Sequence, residues 1–73
     1  MFFYVYVLES VKNFNLYIGF TADLKKRLKE HNRGLNFLMK PYAPWELLHY
    51  EAYRNEDDAK RREQYFKIIG VTL

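Results

Sequence analysis

Seven consecutive residues near the start of the chain, Phe2 to Leu8, are all aromatic, β-branched or aliphatic. A run of this length and composition reads as a strand with both faces covered. The chain has 73 residues, so that cover comes from within a single small domain, with no room for a second core. A domain this short has little stability to spare. The aromatic share, 19%, argues against disorder, and the chain holds no cysteine to staple the fold or bind a metal as thiolate. The absence of cysteine is compatible with a reducing cytoplasm, the expected location. The opening run lacks a basic leader and a small-residue cleavage site, so it does not read as a signal peptide. No apolar run approaches the length that crosses a bilayer.

The next segments follow from their punctuation. Glu9 to Asn15 is polar and of hairpin-loop length, and Leu16 to Phe20 is apolar again, predicting a second strand antiparallel to the first. Thr21 stands where an N-cap is expected, before a helix over 22–32 that Gly34 would stop. Pro41 and Pro44 break the stretch from Leu35 to Glu46, predicting a loop with one helical turn. Leu47 to Tyr53 predicts a third strand. Asn55 caps a last helix whose first turn carries Glu56, Asp57 and Asp58, complementing the helix dipole, and which runs to about Ile69 before Gly70. The expected fold class is α/β (α+β): a three-stranded antiparallel sheet flanked by helices, in the order strand, strand, helix, loop, strand, helix. The expected organisation is one domain spanning 1–73.

Several polar residues fall where apolar ones are expected. Tyr4 and Tyr6 share one face of the first strand, and Tyr17 shares a face with Gly19 on the second. If the hairpin brings Tyr6 and Tyr17 to the same side, two phenols converge beside a residue with no side chain. With seven tyrosines in the chain, ordinary strand positions explain them as well. On the first helix Leu24, Arg27, Leu28 and His31 form one core-facing stripe. Burying a guanidinium there is costly unless it is paired. On the last helix Glu63 lies within a stripe marked by Ala59, Phe66 and Ile69, so it must be paired, neutral or bound to a cation. Spacing alone fits a structural Arg27–Glu63 salt bridge and a reactive site equally.

Twelve Lys and Arg against nine Asp and Glu give a formal charge of +3. The excess is clustered: Lys25, Lys26, Arg27, Lys29 and Arg33 in one segment, Lys60, Arg61 and Arg62 in another. Either a polyanion partner or a solvated helix face accounts for such clusters.

Read in order, Tyr4-Val5-Tyr6 followed by Tyr17-Ile18-Gly19 resembles the paired elements that name the GIY-YIG nuclease superfamily. The likeness continues through Thr21, Asp23-Leu24, Arg27-Leu28, Glu30-His31-Asn32, Gly34, Pro44-Trp45-Glu46-Leu47 and Ala59 to Glu63. It is greatest to small single-domain bacterial members, which are similar to the N-terminal nuclease module of the bacterial excision-repair nuclease. The resemblance implies metal-dependent hydrolysis of DNA phosphodiesters, in DNA repair or recombination. By position it implies Tyr17 as general base or water-positioning phenol, Tyr6 in support, Arg27 on the phosphate charge and His31 as an auxiliary. Glu63 would be the ligand of one divalent ion, Mg²⁺ or Mn²⁺. Lys25, Lys26, Lys29, Arg33 and Lys40 would meet DNA. Phe20 stands where the repair nucleases have a lysine, so a helper cation is missing. The alternatives are a non-catalytic nucleic-acid binding module and a nuclease component that needs a protein partner or a second copy.

Overall fold

The computed structural model describes residues 1–34 and 39–70. Strand β1 spans Phe3–Ser10, β2 Leu16–Thr21, helix α1 Leu24–Asn32, β3 Trp45–Tyr53 and helix α2 Glu56–Ile69, with a 3-10 turn at Lys40–Tyr42. The fold class and element order are as the sequence predicts. The part of the predicted loop over 35–38 lies outside the described residues.

The sheet is antiparallel in the order β2-β1-β3, so the apolar opening run becomes the central strand. Val5 to Leu8 are fully or almost fully buried, alternating between the two faces. Val5 and Val7 pack with Ala59 and Phe66 of α2. Tyr6 and Leu8 face the other way and pack with Met39, Trp45, Leu24 and Leu28. The two helices therefore cover opposite faces of one sheet.

Several boundaries differ from expectation, each for a local reason. β1 continues through Glu9 and Ser10 because Ser10 is buried, donates to the Tyr42 carbonyl at 2.7 Å and accepts the Lys12 amide at 3.1 Å. The α1 cap is Asp23 rather than Thr21: the Asp23 carboxylate accepts the Lys26 N–H at 3.1 Å, while the Thr21 hydroxyl accepts the Asp23 N–H at 3.0 Å. β3 starts at Trp45, two residues early, because Asn32 clamps it. The Asn32 side-chain oxygen accepts the Trp45 N–H at 2.6 Å and its amide donates to the Trp45 carbonyl at 3.0 Å. That pair imitates a strand neighbour and ties the end of α1 to the sheet. Asn55 caps α2 as expected, accepting the Asp58 N–H. Gly70 ends it at φ +65°, a conformation open to glycine. Ile69 is half exposed, so the buried stripe of α2 is Ala59 and Phe66.

On the α2 face a polar network pins the helix to β3. Glu51 accepts from both Nε and a terminal nitrogen of Arg62, at 2.9 and 3.2 Å, from the Tyr53 hydroxyl at 2.7 Å, and meets His49 Nε2 at 3.2 Å. The Arg62 guanidinium lies 4.4 Å over the Phe66 ring. Arg62 above all, with Tyr53 and His49, holds the Glu51 carboxyl down at about 2.

Candidate active site

The β1–β2 register sets Tyr6 opposite Gly19. A Cβ at Gly19 would overlap the ring and hydroxyl of Tyr6, so the missing side chain is what lets the phenol lie across the edge strand. Tyr17, two residues before Gly19, falls on the same face. Its ring centroid is 6.3 Å from that of Tyr6.

His31 comes down onto this pair from α1. It is 2% exposed, its Nε2 stands 3.0 Å from the Tyr6 hydroxyl, and Tyr17 meets its ring edge-on at 5.1 Å. His31 Nδ1 is buried and bonded to nothing among the described residues. Unused hydrogen-bonding capacity of that kind is uncommon in a packed interior and concentrates at working sites. Burial first, and Arg27 second, lower the proton affinity of His31, so it sits as neutral imidazole at neutral pH.

The Tyr6 phenol is pushed well above its ordinary value, by burial first and by Tyr17 next, with Glu63 adding and Arg27 opposing. Tyr6 is therefore a fixed neutral phenol and a poor base.

Arg27 is not buried as its place in the stripe suggests. Its side chain is 43% exposed and its Nε pairs with Glu30 at 3.2 Å, leaving the guanidinium at the rim. Glu63 is only 17% exposed and pairs with Lys67 at 3.2 Å, one turn along its own helix. Among the described residues there is no Arg27–Glu63 ion pair, so the structural salt bridge that spacing allows is not formed.

A largely buried single carboxylate fits an ion that keeps most of its shell as water and phosphate oxygens. It does not fit a closed cage, and no cluster of three or more His, Asp or Glu occurs among the described residues. Glu63 could hold such an ion by releasing Lys67, whose side chain is half exposed.

The two basic segments differ. Lys60, Arg61 and Arg62 are paired with Glu56, Asp58 and Glu51. Among the described residues Lys25, Lys26, Lys29 and Arg33 form no ion pair, and all four line, with Asp23 and Glu30, a cavity of about 530 Å³ on the outer side of α1. Lys40 is exposed in the 3-10 turn, with its stem close to Gly34 at the end of this row. Sequence reasoning gave no separate task to Asn32, whose double hydrogen bond to Trp45 fixes the end of the helix carrying His31. Its side chain bonds a strand thirteen residues away, which no local pattern reveals.

A family model described as the GIY-YIG catalytic domain matches residues 2–68. A UPF0213 protein of Streptococcus pyogenes serotype M3 is 45% identical over 65 residues, covering 88% of this chain and 70% of the relative. A UPF0213 protein of Clostridium perfringens is 38% identical over 67 residues, covering 90% and 71%. The solution NMR structure of a UPF0213 protein from Bacillus halodurans superposes with a TM-score of 0.58 at 30% identity, covering 93% of this chain and 72% of that one.

Proposed function

Because the chain belongs to the GIY-YIG family of nuclease-type catalytic domains, we propose that it is a metal-dependent endonuclease hydrolysing DNA phosphodiester bonds at the Tyr6–Tyr17–His31 cluster. The observation that supports this reading is the buried Tyr6 hydroxyl bonded to His31, with the Tyr17 ring packed against both and the phenol lying over Gly19. A pure binding surface has no use for a largely buried carboxylate such as Glu63.

In this reading Tyr17, half-buried and without Tyr6's enclosure, holds the attacking water in line, or takes its proton as a phenolate that has first given its own proton to solvent. Tyr6 stays protonated and orients its neighbours, held by His31. Arg27 at the rim meets the non-bridging phosphate oxygens and offsets the charge that grows there. Glu63 would hold one Mg²⁺ or Mn²⁺, which when bound supplies Lewis-acid stabilisation of the phosphate and leaving oxygen. Lys25, Lys26, Lys29, Arg33 and Lys40 take flanking phosphates, giving affinity without base readout.

A supercoiled-plasmid nicking assay tests this. Conversion to open circle in Mg²⁺ or Mn²⁺, stopped by chelator, is the expected result. DNA binding without nicking under any divalent ion would assign the chain to the binding modules instead.

A further inference from the structure

Helix α1 does not cover the whole of its sheet face. Beyond Leu24 and Leu28 a cavity of about 420 Å³ opens, lined by Tyr4, Tyr50, Leu24, Leu28, Leu47 and Lys25. Its size lies in the range of pockets that take small organic groups, and its walls are largely apolar with a few polar tips. Tyr4 and Tyr50 form its aromatic corner, with ring centroids 6.2 Å apart and planes tilted by 58°. Tyr50 is 53% exposed, so its ring is open to a ligand from solvent.

Its position is fixed by register. Tyr50 is the β3 partner of Tyr6, and Tyr4 lies two residues before Tyr6 on the same face. The corner therefore adjoins the Tyr6–Tyr17–His31 cluster, about 7 Å from it along β1. One wall carries Lys25, which also begins the cationic row with Lys26, Lys29 and Arg33; the acids beside that row are engaged, Asp23 by the Lys26 N–H and Glu30 by Arg27. An aromatic corner beside a cationic row matches an unpaired nucleotide, with its base on the rings and its phosphates on the lysines. A paired base is already stacked on its neighbours and cannot enter.

We infer that Tyr4 and Tyr50 form a stacking subsite for one unpaired nucleobase next to the scissile phosphate, so the substrate is DNA with a single-stranded tail, flap or gap at the cut. This rests on the nuclease reading and adds the substrate class to it.

The test reads binding alone, in chelator, so it is independent of cleavage. Fluorescence anisotropy compares a duplex with a short thymine tail, the same duplex with an abasic tail, and a blunt duplex. The tail with bases should bind roughly ten- to a hundredfold more tightly than the abasic one. Tyr50→Leu, which keeps apolar bulk without a ring, should bring that ratio near one, while Tyr50→Phe retains it. Tyr4→Leu gives a second, independent reading. Equal binding of the two tails by the unaltered protein would overturn the inference. So would leucine variants that weaken all three DNAs alike, since the rings would then shape the domain rather than hold a base. A protein that prefers bases but never nicks would defeat the cleavage reading and leave the subsite standing.

Discussion

The two faces of the central strand are built for different tasks. Towards α2, Val5 and Val7 meet Ala59 and Phe66, and the polar groups there are bonded to one another through Glu51. Towards α1, Tyr6 meets His31 with one buried nitrogen left unbonded, Tyr17 stays half-buried, and Tyr50 stands open beside a cavity. One face is satisfied and closed, the other polar and unfinished. A domain of this size concentrates its stability where it can be sealed and leaves reachable chemistry where it cannot.

That division predicts that changes on the two faces separate rate from stability. Tyr17→Phe should lower the nicking rate by about 10²–10⁴-fold while leaving the thermal melt within about 0.5 kcal/mol. A large shift in the melt would mean Tyr17 belongs to the core instead. Gly19→Val forces a side chain into the Tyr6 phenol and should damage both properties, abolishing nicking and destabilising by about 1–3 kcal/mol or more. Unaltered nicking would show that Tyr6 need not lie where it does.

Glu51→Gln should do the reverse of Tyr17→Phe, losing roughly 1–2 kcal/mol, the figure left after solvent screening of the part-exposed Arg62, with nicking unchanged well below the melt. The pH dependence follows the sign of the shift. Glu51 is held at about 2 against an ordinary 4.5. Its contribution is therefore complete above pH 4.5 and is lost as pH falls towards 2, and acid titration of the melt should show that loss in the unaltered protein but not in the variant. The smallest effect is on binding. Replacing Lys25 and Lys29 with alanine should flatten the salt dependence of DNA affinity by about one unit for each phosphate the protein no longer neutralises. An unchanged slope would remove these lysines from the interface.

The sequence made the element order, the Asn55 cap and the meeting of Tyr6, Tyr17 and Gly19 legible, because each follows from a short-range period or a residue type. What stayed hidden depends on partners far along the chain. Ser10 looks like loop and is strand because Tyr42, thirty-two residues on, receives its hydroxyl. Trp45 begins β3 because Asn32 reaches it. Thr21 and Asp23 are both good capping types two residues apart, and both are used, in an order that composition cannot choose. The stripes on α1 and α2 gave the inward place of Glu63 but neither the exposure of Arg27 nor the partners of the two, which lie on their own helices at Glu30 and Lys67.

Glu63 rides on the stabilising helix α2, yet the proposed chemistry gives it the metal ion. Its ion pair with half-exposed Lys67 is worth roughly 0.3–0.5 kcal/mol, so its charge can be removed with little harm to the fold. The most direct measurement is therefore plasmid nicking by Glu63→Gln in saturating Mg²⁺, at a temperature where its melt shows the domain folded. An intact melt with no nicking is the expected result, with DNA binding kept or slightly improved by the loss of a negative charge. Full nicking by the folded variant would contradict a metal-holding Glu63, and a collapsed melt would return Glu63 to the structural side of the sheet.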